Sequence, residues 1–218
     1  MIFSLAGASS TGKTTQIELF KMMPEIGGKT VIIHPEYPRI LYERLYKDKF
    51  PSFNDVLQDS ETALVFQLQC CEEALDVLKK AYNDPDHVHI IDGSVISCMV
   101  YLCLNYSNAL PEHQSMYGPQ FINMMEKLEN SVHMIDKIIR LHPFNVEMMS
   151  TVVDDGFRPS TYTHRRFFEL KLFDMVCAMV REKCNNIYSD DKTVRFKEIV
   201  DTINYTIKYN RTMDNKQR

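Results

Sequence analysis

Gly7-Ala8-Ser9-Ser10-Thr11-Gly12-Lys13-Thr14-Thr15 is the stretch from which the rest of the chain is read. Its spacing follows the P-loop pattern G-x-x-x-x-G-K-[ST]. An apolar run from Ile2 to Ala6 leads in as a strand. Lys13 to Met23 leads out as a helix, which Pro24 stops. The two glycines allow a tight turn whose successive N–H groups point inward at an anion. The helix start adds unpaired N–H groups and a partial positive charge. Lys13 brings a full charge that reaches the β- and γ-phosphates, and the Thr14 hydroxyl is placed to ligate Mg2+. Gly7, Ser9, Ser10, Thr11, Gly12, Lys13, Thr14 and Thr15 are therefore the predicted nucleotide-binding residues.

At 218 residues the chain predicts one domain with a sizeable core. The 44% hydrophobic and 25% charged content is that of a soluble globular protein. A formal charge of -4 argues against a nucleic-acid protein that relies on bulk basic charge, though it allows a local basic rim over a phosphate site. The six cysteines, at 70, 71, 98, 103, 177 and 184, form no C-x-x-C pair. They read as buried, reduced thiols of a cytoplasmic protein. The first strand begins at Met1, which leaves no room for a signal peptide, and no apolar run is long enough to span a bilayer.

Beyond Gly27-Gly28, Thr30 to His34 reads as a second strand and Ile40 to Lys47 as a helix. Lys49 to Asn54 reads as a loop. A long helix from about Asp59 to Tyr82 carries apolar residues on two faces and should be buried. His87 to Asp92 is a third strand ending in an acid, and Ile96 to Leu104 a helix. Asn105 to Gly118 reads as a polar loop, Gln120 to Asn130 as a helix and Lys137 to Leu141 as a fourth strand. A turn-rich segment from Val153 to Ser160 precedes a helix from about His164 to Cys184. A short strand at Asn186 to Tyr188 and a helix from about Thr193 to Ile207 complete the pattern. The alternation predicts an α/β three-layer sandwich with a mostly parallel five-stranded sheet. The domain spans 1–209, with a lid at about 153–170 and a polar, frayed tail at 210–218. Ligands of such sheets gather at the carboxyl ends of the strands, where the P-loop, Glu36, Asp92 and His142 all fall.

Asp92 stands where an acid holds Mg2+ directly or through water, and it also stands where a helix takes its N-cap. Glu36 is placed to accept a proton from an acceptor hydroxyl, or to complement the dipole of the next helix. Arg39, one turn on, suits an acceptor phosphate or ribose, or a surface carboxylate. Arg158 is the candidate lid cation, stabilising charge on a transferred phosphoryl group. Arg165 or Arg166 is a second; basic residues are poor partners for a helix N-terminus, so an anion should lie near them.

Gly7 to Thr15, Glu36-Tyr37-Pro38-Arg39, Asp92 and Asp155-Gly156-Phe157-Arg158 together resemble the P-loop nucleoside and nucleotide kinases. More narrowly they resemble the ribosylnicotinamide-kinase-like group of small AAA-type P-loop domains found in NadR proteins and many phage proteins. A closing segment from Tyr188 to Arg195 agrees more loosely. The resemblance implies ATP as donor, Mg2+, a small nucleoside- or nucleotide-like acceptor, and an arginine lid. It implies catalytic roles for Lys13, Asp92, Glu36 and Arg158, metal contacts at Thr14 and Asp92, and acceptor contacts at Glu36, Arg39, Arg165 and Arg166. Many such kinases carry Asp-Arg or Glu-Arg after the third strand, whereas this chain has Asp92-Gly93-Ser94, so their acceptor specificity does not transfer. Kinases of a modified base or an end in DNA, and non-kinase P-loop ATPases, stay open as alternatives, as do the acceptor's identity and the oligomeric state, a dimer included. An Asn-Lys-x-Asp guanine signature is not found.

Overall fold

A computed structural model describes the backbone of residues 1–8, 11–143 and 163–216, and the side chains of 1–8, 11–143 and 167–210. Its sheet takes the order β2-β3-β4-β1-β5-β6 among the described residues. The strands are β1 (Ile2–Ala6), β2 (Glu25–Ile26), β3 (Lys29–His34), β4 (Val88–Asp92), β5 (Lys137–Leu141) and β6 (Cys184–Ile187). The pairs β3–β4, β4–β1, β1–β5 and β5–β6 are parallel. The expected sheet is thus present with one strand more: the two-residue β2 folds back on β3 antiparallel across Gly27 and Gly28, whose φ angles of 59° and 74° supply the tight turn.

Alternate residues of each strand enter different cores, which is why β1, β4 and β5 carry apolar residues on both faces. Ile2, Ala6, Ile91 and Ile138 pack under α4 (Ser60–Tyr82), α5 (Ser94–Asn108), α6 (Pro111–Ser131) and α7 (Thr163–Met179). Phe3, Leu5, Ile90, Ile139 and Leu141 pack against Ile17 and Phe20 of α1 (Lys13–Lys21) and Ile199, Ile203 and Ile207 of α8 (Lys192–Lys216). A third cluster joins α2 (Tyr37–Leu45), α3 (Phe53–Gln58) and α4 through Tyr42, Phe53 and Phe66. Its rings meet edge to face, with centroids 5.7 Å (Tyr42–Phe53) and 5.3 Å (Phe53–Phe66) apart.

Several boundaries differ from the sequence expectation for local reasons. The short helix α3 begins in the expected loop, because Ser52 and Asp55 form a reciprocal capping box. Asn105 to Gly118 is largely helical. Helix α5 runs on to Asn108, and α6 starts at Pro111, which suits a first helical turn. Pro119 lies inside α6, and the Tyr106 hydroxyl donates to the Gln114 carbonyl in the turn before it (3.0 Å). Tyr106 also stacks on Phe121 at 4.1 Å. The backbone of the expected tail is helical as far as Lys216. Asn210 extends the packed face of α8 by donating to Asp136 (3.1 Å).

Candidate phosphate-binding site

The loop after β1 is shaped by two glycines at positive φ. Gly7 has φ 147°, and a Cβ there would stand 2.6 Å from the Leu141 carbonyl oxygen and 2.8 Å from Thr11 Oγ1. Gly12 has φ 86° and caps α1 in the left-handed conformation. The Thr11 hydroxyl donates to the Ala8 carbonyl (3.0 Å). Lys13 is 7% exposed and folds back over its own loop, with Nζ donating to Gly7 O (2.8 Å) and Ala8 O (3.0 Å). The ammonium is thereby held over the loop between β1 and α1. Thr14, in the first turn of α1, is exposed. Ser9 and Ser10 lie outside the described residues.

Asp92 is brought to the loop by sheet register. It pairs with Leu5, two residues before Gly7, and Gly93 N donates to Leu5 O (2.9 Å). The carboxylate is 5% exposed. The N-cap of α5 is Gly93, in the left-handed region at φ 80°, so Asp92 is not the cap that one sequence reading offered. Ser94 Oγ and Ser4 Oγ share a hydrogen bond beneath it, tying α5 to β1. Tyr37 is buried close by. Burial raises its phenol well above the usual tyrosine range, and Cys98 and Asp92 push it further the same way. Among the described residues neither Tyr37 Oη nor Ser97 Oγ has a hydrogen-bond partner.

Glu36 is the N-cap residue of α2, but its side chain makes no capping hydrogen bond. It is half-buried at the carboxyl end of β3, the strand next to the one that carries Asp92. Arg39 lies exposed in the first turn of α2. The loop, Asp92, Glu36 and Arg39 therefore share one edge of the sheet. Arg158 lies outside the described residues. Arg165 and Arg166 are in the first turn of α7, with their side chains outside the described set.

Arg195 is the site residue that the sequence reading touched only in passing. It is 7% exposed in the first turns of α8. Its guanidinium donates to three backbone carbonyls: Thr11 in the loop, His142 after β5 (3.1 Å) and Ser189 after β6 (2.6 Å). An arginine at a helix N-terminus is poorly placed against the helix dipole, but nothing local in the sequence showed that it would be buried or where its acceptors lie. Burial lowers its pKa from the ordinary arginine value. Beside it, His142 stacks on Tyr188 with ring centroids 4.3 Å apart and is held by Asn186 Oδ1 at 2.9 Å. Burial also lowers the pKa of His142, which favours the neutral imidazole.

Among the described residues no cluster of His, Cys, Asp and Glu forms a metal site from protein ligands alone, and no helix is long and apolar enough to cross a membrane. A Thr hydroxyl and one carboxylate suit a hard cation that takes its other ligands from phosphate and water.

Known structures share this architecture. The NadR protein, solved in complex with NR, superposes over 94% of this chain with a TM-score of 0.61 at 16% identity. The present chain spans half of that protein's length. Deoxyadenosine kinase from M. mycoides, solved with dCMP and dCDP, superposes over 94% of this chain and all of its own, with a TM-score of 0.64 at 15% identity. The same kinase with bound dATP gives a TM-score of 0.62 at 18% identity. At these identities the likeness is one of fold. No curated protein matches the chain in sequence. The family model described as AAA domain matches residues 2–185. A strand-loop-helix built on Gly7, Gly12 and Lys13, on a sheet of this order, is what that match covers, and the chain belongs to the AAA domain family.

Proposed function

We propose that the chain is an ATP-dependent phosphotransferase that uses Mg2+ and acts on a nucleoside- or nucleotide-like acceptor. The observation that carries this reading is the junction of three elements. Lys13 lies over the glycine loop, Asp92 is registered against the end of β1, and Glu36 stands on the neighbouring strand end. The structural likeness to a deoxyadenosine kinase and to NadR supports a nucleoside-like acceptor.

In this reading the loop amides and Lys13 bind the β- and γ-phosphates. The Thr14 hydroxyl and the Asp92 carboxylate would hold Mg2+. When bound, Mg2+ neutralises charge on the phosphate oxygens. Glu36 faces the acceptor side and takes the proton of an attacking hydroxyl; an acceptor phosphate needs no such base. Arg39 binds the acceptor's phosphate or ribose. Arg158 acts as a lid cation, with Arg165 or Arg166 as a second, stabilising the charge on the moving phosphoryl group. The stacked His142 and Tyr188 offer a flat surface at the loop's flank where a donor base can lie.

The test is ADP release and product analysis with ATP and Mg2+ over a panel of nucleosides, nucleoside monophosphates, nicotinamide riboside and hydroxymethylated DNA. Acceptor-dependent ADP with a phosphorylated nucleoside or nucleotide supports the proposal. Transfer to DNA alone relocates the acceptor. ATP hydrolysis that no acceptor stimulates argues for a non-kinase ATPase.

A further inference from the structure

Strands β5 and β6 meet under α7 at the end of the sheet remote from α2. Ile138 and Arg140 of β5 lie on one face, and Cys184 of β6 pairs with Ile138, so its side chain shares that face. Helix α7 covers it with Phe173, Val176 and Cys177. Arg140, itself buried, donates to Asp174 Oδ1 (2.5 Å), one turn before Cys177. The chain leaves α7 at Met179 and enters β6 at Cys184, so the two cysteines face each other across a short reversal. Cys177 is 5% exposed, whereas Cys184 is partly exposed. Cys177 belongs to the buried cluster under α7, and Cys184 packs against the same cluster from its edge.

We propose that Cys177 and Cys184 form a reversible thiol-oxidation site, in which Cys184 is the attacking thiol and Cys177 the resolving one. The neighbouring Cys177 lowers the Cys184 pKa against the opposing effect of burial, as do the nearby Arg140 and Lys137, while Cys184 and burial drive Cys177 up. The exposed partner thus carries the more thiolate character, which is the order an attacking thiol requires. The buried partner needs no access to solvent, because its own attack is intramolecular. With glutathione disulfide as oxidant, the Cys184 thiolate attacks one of its sulfurs, and that S–S bond breaks to release one glutathione thiolate. Cys177 gives its proton to solvent and attacks the Cys184 sulfur. The second glutathione leaves, and two protein thiols have been oxidised while one small disulfide has been reduced to two thiols. The new bond ties the last turn of α7 to the first residue of β6.

Cys71 and Cys98 also lie close together, but both are buried, so that pair has no solvent-facing partner to attack an oxidant. Cys70, Cys71 and Cys98 are buried, and burial raises the Cys70 and Cys71 thiols well above the usual range. Cys103 is partly exposed, but burial raises it as well.

The experiment treats the full chain with glutathione disulfide under native conditions, followed by intact mass and a non-reduced tryptic map. Cleavage after Arg181 and Lys183 separates the two cysteines, so a link between their peptides is diagnostic. The expected result is a loss of about 2 mass units, a Cys177–Cys184 linked peptide pair, and full reversal by dithiothreitol. Cys177→Ser is expected to stop at a gain of about 305 mass units, with glutathione retained on Cys184. Unmodified thiols in the wild type, a stable adduct with Cys177 still reduced, or a link through any other cysteine overturns the proposal.

Discussion

Arg195 donates from Nη1 to the carbonyl oxygen of Thr11, joining α8 to the glycine loop across 184 residues of sequence. The same guanidinium reaches the carbonyls that follow β5 and β6. The loop is thus fastened by a helix other than its own, and its shape depends on the last element of the fold.

That dependence predicts a coupled loss. Arg195→Ala leaves three carbonyls without their donor and is expected to cost about 2–4 kcal/mol of stability. Arg195→Lys offers one compact ammonium in place of a fork and should recover less than half of that. Denaturant unfolding gives the stability, and calorimetric titration with MgATP should show weaker binding in both variants. Unchanged nucleotide affinity in a folded Arg195→Ala would mean that the fastening does not shape the loop.

Gly7→Ala tests the loop's steric demand. The added Cβ meets backbone, which cannot swing away as a side chain can. A loss of roughly 2–4 kcal/mol is expected. Gly28→Ala is the comparison: its φ is also positive, but nothing lies within 4 Å, so roughly 1 kcal/mol is expected. Comparable urea midpoints for the two variants would contradict the close approach of Gly7 to Leu141.

Lys13→Ala is expected to fold and to lower turnover by at least ~100-fold, because the charge lying over the loop is lost. Glu36→Gln keeps the shape of the cap position and should reduce kcat more than it changes ATP affinity. Steady-state kinetics with the acceptor found in the panel separate the two. If rate and acceptor affinity are both untouched, Glu36 serves only the start of α2.

The paired imidazoles on β3 and β4 predict acid sensitivity. His34 and His89 share a hydrogen bond at 3.0 Å, with Asp84, His87 and the N-terminal ammonium around them. Burial, then His89, lowers the His34 pKa from 6.5 to about 4. Because the folded value is the lower one, the unfolded chain takes up the proton first as pH falls. The contribution is complete above pH 6.5, declines between 6.5 and about 4, and changes no further below that. The ring is only partly buried, so a loss of about 1–2 kcal/mol over this window is expected. His34→Gln should flatten the dependence when urea midpoints are compared at neutral and mildly acidic pH. An equally steep fall in that variant would assign the effect elsewhere.

Much of this was legible in the sequence because it rests on short-range chemistry. β1 and β5 were bounded correctly, the first ending at the loop glycine and the second at the His142-Pro143 break, and the loop was fixed by glycine spacing. Asn105 to Gly118 was misread because polar residues with Pro111 and Pro119 suggest a loop, whereas here Tyr106 and Gln114 support the α5–α6 corner through contacts that span several residues. The continuation of α8 past Ile207 goes with the Asn210–Asp136 hydrogen bond, a contact 74 residues apart that local propensity does not show. The role of Arg195 was hidden for the same reason: its acceptors come from three separate parts of the chain. Glu36 was seen at its strand end, but nothing local in the sequence distinguishes a base from a helix-start carboxylate.

The most direct test is a crystal structure with MgCl2 and a non-hydrolysable ATP analogue. The account predicts the β- and γ-phosphates inside the Gly7–Thr15 loop, contacted by Lys13 Nζ, with the metal held by Thr14 and linked to Asp92 directly or through one water. Phosphates bound away from that loop, or a metal with neither Thr14 nor Asp92 around it, would contradict it.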